Sequence, residues 1–206
     1  GDGLATHLWV NGNPSKFLQG HNVFGSDNII SLMADLFDVI APQFGLKPTL
    51  QELHRIHTGD YELKTVDINY SYELPSRADV LQFIRALEYK SKTRHGRPST
   101  KGGTLYFGKN SKRWALKFYC KAEEIKTATG RIPHDLQNLG IEKWVDNKLR
   151  IELRLLSKEL IKIDIKNVKD LTIDAVKSLF SEYVGRIDMS EQITLTDDAM
   201  MNMPNK

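Results

Sequence analysis

The run Lys64-Thr65-Val66-Asp67-Ile68-Asn69-Tyr70-Ser71-Tyr72-Glu73-Leu74 alternates polar and apolar side chains without a break. On an extended chain Val66, Ile68, Tyr70, Tyr72 and Leu74 fall on one side. Thr65, Asp67, Asn69, Ser71 and Glu73 fall on the other. A strand with one apolar and one polar face belongs in a sheet that is covered on one side and wet on the other, which is the habit of antiparallel rather than parallel sheets. Residues 148–156 alternate in the same way, and residues 104–107 and 113–119 read as a strand pair joined around Gly108-Lys109-Asn110.

Helical patterns lie between these strands. Ile29, Leu32, Met33, Leu36, Phe37 and Ile40 recur at the 3.6 period, predicting a helix over 28–41 with Ser26 or Asp27 as its cap and Pro42 at its end. Further helices are predicted over 50–56, after Pro75-Ser76 with Val80, Leu81, Ile84 and Leu87 as the apolar stripe, in short pieces after residue 122 and within 133–147, and over 171–184. Residues 8–18, with Asn11-Gly12-Asn13-Pro14 at their centre, read as a hairpin. Residues 90–103, rich in Gly, Pro, Ser and Thr, read as a mobile loop. The expected fold is therefore α+β, a central antiparallel sheet with helices packed on its apolar face. One domain is expected over residues 1–190, with a polar tail at 191–206.

The charge is unevenly laid out. Ten of the 29 Lys and Arg residues, and none of the 26 Asp and Glu residues, lie between Tyr89 and Ala122, although the net charge is only +3. Arg94, Arg97, Lys109, Lys112, Arg113 and Lys117 belong to this block, which suits a phosphate-rich partner such as DNA; a solvated basic loop would have the same composition. The single cysteine, Cys120, excludes a disulfide framework and a cysteine zinc site, and points to a reducing cytoplasm. No apolar run approaches the roughly 18 residues that span a bilayer, so no membrane partner is expected. No signal peptide is visible, and the opening Gly1-Asp2-Gly3, lacking a methionine, reads as a trimmed piece of something longer.

Three strands carry polar residues at every second position: Asp67-x-Asn69, Lys117-x-Tyr119-x-Lys121 and Arg150-x-Glu152-x-Arg154. Spacing of two puts each set on one face of its strand. If the strands are neighbours, a carboxylate, an amide, a phenol and several cations share one surface. Asp67, Asn69 and Glu152 offer hard oxygen donors suited to Mg²⁺ or Mn²⁺. The same residues are equally the wet face of a half-exposed sheet, with Glu152 in a ladder between two arginines. Tyr119, flanked by Lys117 and Lys121, is a candidate nucleophile, since a phenol needs a nearby cation to ionise; spacing alone does not single it out from seven tyrosines. His21 sits in the glycine-bracketed loop 20–25, where a functional side chain and a merely structural one are equally at home. His54 and His57, three apart in a helical stretch, make a weak metal signal.

Four segments carry a resemblance. Pro14-Ser15-Lys16-Phe17-Leu18-Gln19-Gly20-His21-Asn22-Val23-Phe24-Gly25 resembles a signature of the gene II type replication proteins of filamentous phages. Asn110-Ser111-Lys112-Arg113, followed by Lys117-Phe118-Tyr119-Cys120-Lys121-Ala122-Glu123-Glu124, resembles their tyrosine motif. Val66-Asp67-Ile68-Asn69 and Arg150-Ile151-Glu152-Leu153-Arg154 resemble two shorter ones, and the four stand in the expected order. The resemblance implies a relative of the endonucleases named for a His-hydrophobic-His strand. That is a rolling-circle initiator whose tyrosine nicks single-stranded or hairpin origin DNA with a divalent metal, Mg²⁺ or Mn²⁺, and which works with host replication proteins. It implies Tyr119 as nucleophile, assisted by Lys121, and Asp67 and Glu152 as metal ligands, with Asn69 and His21 competing for the remaining place. The sequence departs from the namesake pattern, because Asp67-Ile68-Asn69 stands where paired histidines would be. A DNA-binding regulator without cleavage and a plasmid-transfer relaxase are the alternatives. Tyr106, Phe107 and Trp114 are aromatic residues able to stack bases, with Trp114 equally suited to the core.

Overall fold

The computed structural model describes residues 7–188 apart from 95, 128 and 129. The tail expected at 191–206 lies outside the described residues. Five strands, β1 (Thr65–Glu73), β2 (Ser99–Lys101), β3 (Thr104–Phe107), β4 (Trp114–Cys120) and β5 (Lys148–Leu156), form one sheet in the order β1-β5-β4-β3-β2. Every neighbouring pair is antiparallel. The helices are α1 (Pro14–Gln19), α2 (Ile29–Gln43), α3 (Leu50–Thr58), α4 (Arg77–Lys90), α5 (Lys121–Glu124), α6 (Ile141–Val145), α7 (Ser157–Lys162) and α8 (Ile173–Val184).

The alternation in β1 does what it predicts. Val66 and Ile68 are buried while Thr65, Asp67 and Asn69 are exposed. Across the sheet Leu105, Phe107, Trp114, Leu116, Phe118, Leu149, Ile151, Leu153 and Leu155 share the apolar face. Val80, Phe83, Ile84 and Leu87 of α4 and Leu179, Phe180 and Tyr183 of α8 join them in one core. Ring contacts fix the packing of α8: Phe180 lies 4.5 Å from Tyr70 and Tyr183 lies 5.3 Å from Trp114, centroid to centroid. Tyr183 also donates from its hydroxyl to the buried carboxylate of Glu159 in α7 at 2.6 Å, and Arg113 approaches the other oxygen at 3.2 Å. Burial pushes the Glu159 carboxyl up, but the Tyr183 and Arg113 hydrogen bonds and the surrounding cations outweigh it and leave it below the ordinary glutamate value.

Three local expectations need correction. Residues 8–18 form no hairpin: Asn13 caps α1 by accepting from the Lys16 N–H at 2.9 Å, and Pro14 occupies the first turn, where its missing N–H costs nothing. Asn28, rather than Ser26 or Asp27, caps α2, and the helix continues through Pro42 to Gln43. The basic segment 90–103 carries an edge strand, β2, which pairs with β3 across Gly102-Gly103. The β3–β4 turn falls where expected. Gly108 sits there at φ 71°, and a Cβ would come within 2.9 Å of the Trp114 carbonyl oxygen.

Candidate active site

The register of the three central strands assembles the polar face. Asp67 lies opposite Arg154, which lies opposite Ala115; Asn69 opposite Glu152, opposite Lys117; Ser71 opposite Arg150, opposite Tyr119. Directly paired residues project to the same side. Tyr106 of β3 extends the middle row by pairing with Lys117. The three separated motifs thus meet on one surface, as their spacing requires.

The face has two ends of different character. At one end lies an ionic ladder. Arg154 binds Asp67 with both arms of its fork, Nε to Oδ1 at 2.7 Å and Nη2 to Oδ2 at 2.6 Å, and its Nη2 also lies 3.9 Å from Glu152. Lys117 donates to Glu152. At the other end the loop 20–25 closes over the sheet. Arg150 donates from Nη1 to Asn69 Oδ1 at 2.6 Å and from Nη2 to the Val23 carbonyl at 2.5 Å. Lys121, fully buried, donates to Asn22 Oδ1 at 2.9 Å and Glu124 Oε2 at 2.7 Å. The loop is braced from below by Gln19, whose side chain donates to the carbonyls of His21 and Phe24.

Tyr119 is 7% exposed, with the Lys121 amine 6.0 Å from its ring centre. Burial, and then the Glu152 charge, push its phenol well above the ordinary tyrosine range; the Arg150 charge works in the opposite direction. Burial also lowers the Lys121 amine, against the pull of Glu124. Arg150 is only 4% exposed, and its Nε is buried without a hydrogen-bond partner. An unpaired buried guanidinium N–H is costly to keep, and it stands out among the buried polar atoms of this face.

Of the four expected metal ligands, Asp67, Asn69 and Glu152 share the face, but each is already held by a cation: Arg154, Arg150 and Lys117 respectively. His21 is held within its own loop. Its Nδ1 accepts from the Val23 N–H at 3.3 Å, its ring meets Phe24 edge-on, and burial with the Lys121 charge lowers its pKa. Among the described residues no three His, Cys, Asp or Glu side chains are grouped to hold a metal ion. The donor chemistry suits a hard cation, but the arrangement does not accept one unless Arg154 releases Asp67.

The basic residues divide. Lys117 lies in the middle row, and Lys109 covers the Tyr106 ring at 5.2 Å. Lys112 is exposed in the β3–β4 turn. Arg113 turns to Glu159, Arg97 donates to the Tyr89 carbonyl at 2.6 Å, and Arg94 is exposed in the same loop as Arg97. Phe107 and Trp114, expected to stack bases, are 1% and 8% exposed and belong to the core, because their strand parity puts them on the apolar face. Arg150 was not singled out as a site residue. Its signal was its place two residues before Glu152, which reads as one rung of a ladder until the register sets it opposite Tyr119.

Residues 1–174 match the family described as the N-terminal part of the phage replication-associated protein of gene II type. The chain belongs to that family. It is also 45% identical over 208 residues to the replication-associated protein of the same type from Enterobacteria phage I2-2, a match that covers all of this chain and 60% of that protein. The chain therefore spans less than two thirds of the relative's length. No solved structure matches. Among the described residues no helix is long and apolar enough to cross a membrane.

Proposed function

We propose that this chain is the nicking and joining domain of a phage rolling-circle replication initiator, acting on single-stranded or hairpin origin DNA through Tyr119. One observation carries the reading: Tyr119 lies directly opposite Arg150, whose buried Nε has no partner. A phosphodiester oxygen satisfies that N–H and brings phosphorus to the phenol. The membership of a replication-protein family and the basic block beside the site support the same partner.

In the proposed reaction the Tyr119 oxygen attacks phosphorus in line and the bond from phosphorus to the 3′ oxygen breaks. The phenol proton passes to Glu152, which lies on the diagonal from Tyr119 within side-chain reach, and the 3′ oxygen takes a proton from solvent. The products are a 3′ hydroxyl, available to host replication proteins, and a 5′-phosphotyrosine that conserves the phosphodiester energy for later joining. Arg150 holds the phosphoryl oxygen; Lys121 and the loop 20–25 exclude water and fix the phenol. Mg²⁺ or Mn²⁺, if bound between Asp67 and Glu152 in place of the Arg154 guanidinium, would supply Lewis-acid charge.

Incubation with single-stranded origin DNA and Mn²⁺, followed by a denaturing gel, tests the reading. A covalent protein–DNA band that is absent from Tyr119→Phe is expected; a band of normal intensity from that variant overturns it. The second reading, DNA binding without cleavage, draws on the strongly raised phenol and the paired carboxylates. It predicts tight DNA binding and no covalent band under any metal.

A further inference from the structure

Two large aromatic side chains stand in solvent beside the candidate site. Phe24 is 42% exposed and Trp144 is 38% exposed, and their rings meet edge to face at 4.9 Å. Neither belongs to the core. They come from chain segments far apart in sequence, loop 20–25 and α6, and both are held firmly. Phe24 is fixed through its carbonyl by Gln19, through its ring by His21 at 5.6 Å, and through its neighbour Val23 by Arg150. Trp144 rests on the Lys148 ammonium, 5.1 Å from its ring, and Lys148 is in turn paired with Glu73.

Their position relative to Tyr119 is set by the register. Lys148 and Arg150 are successive residues on the same face of β5, and Arg150 faces Tyr119. One such step is about 7 Å along a strand. The aromatic pair therefore borders the Arg150 end of the face: Trp144 stacks on Lys148, one step along β5 from Arg150, and Phe24 follows Val23, whose carbonyl Arg150 binds. It is continuous with the cationic end of the face through Lys148 and Arg150. A solvent-exposed ring pair fixed next to buried cations matches one chemistry in particular: an unpaired base stacked on an aromatic platform while the adjoining phosphate is gripped.

We propose that Phe24 and Trp144 form a base-stacking platform that seats the unpaired nucleotide adjoining the phosphate held by Arg150. The proposal rests on the nucleic-acid reading above, and extends it from backbone binding to selection of single-stranded over paired substrate. A base in a duplex is already stacked on both faces and leaves none for Trp144. The platform explains why the loop 20–25 is braced so heavily: it carries Phe24 as well as the Val23 carbonyl that holds Arg150.

The test is binding of fluorescently labelled single-stranded oligonucleotides, measured by anisotropy, with the full chain and its Trp144→Ala, Trp144→Phe and Phe24→Ala variants. Each oligonucleotide is also made with one abasic position, moved along the strand. The alanine variants are expected to bind about 5- to 100-fold more weakly, with Trp144→Phe close to the parent. In the parent, one abasic position should cost a similar factor. In Trp144→Ala the same abasic position should cost nothing, because the partner ring is gone. Alanine variants that bind as the parent does, equal abasic losses in parent and Trp144→Ala at every position, or no single-strand binding by the parent each overturn the proposal. So does a shift in oligomeric state on Trp144→Ala without an abasic coupling, which would make the pair a protein contact. A covalent Tyr119 adduct with no abasic coupling removes the platform alone; abasic coupling without an adduct removes the nicking reaction alone.

Discussion

The two ends of the polar face are built on the same three strands, yet they are opposites. In the ladder end Asp67, Arg154, Glu152 and Lys117 neutralise one another, and the Asp67–Arg154 pair is partly open to water. In the covered end Tyr119, Arg150 and Lys121 are buried, the loop 20–25 binds the two cations, the phenol is strongly raised, and a guanidinium N–H is left over. A face made only for solubility would resemble the ladder throughout. Burying a phenol and two cations together carries an electrostatic cost, and perturbed groups of this kind are concentrated at functional sites.

The largest expected effect breaks the comparison at the covered end. Tyr119→Phe keeps the ring and its packing but removes the oxygen, so adduct formation should fall by about 10³-fold or more while single-strand affinity stays within about 3-fold. Quantified gel bands beside an anisotropy titration separate the two. Next comes Arg150→Lys, which keeps the charge and loses the fork; the adduct rate should drop by about 10²-fold, since a single amine cannot hold Asn69, Val23 and a phosphate together. If Arg150→Lys is as active as the parent, the unpaired Nε has no role.

Smaller effects sharpen the comparison at the ladder. Removing the guanidinium with Arg154→Gln frees Asp67 while Glu152 keeps its Lys117 partner, and should tighten Mn²⁺ binding by about 10-fold in an electron paramagnetic resonance titration, because a competing cation has gone. Its cost in folding stability should stay within about 1 kcal/mol by urea denaturation, as expected for a pair this exposed to water. His21 gives a pH signature for the covered end alone. Its folded pKa lies below the unfolded value of 6.5, through burial first and the Lys121 charge second. The unfolded chain therefore binds the proton more readily, so the loop's contribution is complete above that value and is lost as pH falls through the lower folded one. Proteolysis of the loop 20–25 should accelerate on going from about pH 7.5 to about pH 5, and His21→Gln should flatten that dependence.

Much of this fold was legible because alternation is a strong signal. The strand over 148–156 was bounded to the residue, and the apolar faces of β1 and β5 follow directly from the period of two. What failed was punctuation: Asn11-Gly12 and Asn13-Pro14 both mark turns, and only the Lys16 N–H bonded to Asn13 shows that the second begins a helix. In the site, parity within each strand was readable but parity between strands was not. Trp114 and Tyr119 are five residues apart on one strand and so fall on opposite faces, but which face is wet depends on the pairing with β5. The contact between Phe24 and Trp144, and the seat of Val23 on Arg150, join segments that no local pattern links. Tyr119 itself was chosen by resemblance, since its six fellow tyrosines have the same intrinsic chemistry.

The central claim is that the phenol opposite Arg150 becomes bonded to DNA, and peptide mass spectrometry of the protein after reaction with single-stranded origin DNA and nuclease trimming tests it most directly. The expected result is a nucleotide mass carried by the peptide containing Tyr119 and localised to that side chain. A nucleotide on any other residue, or none when the DNA is nonetheless cut, would contradict it.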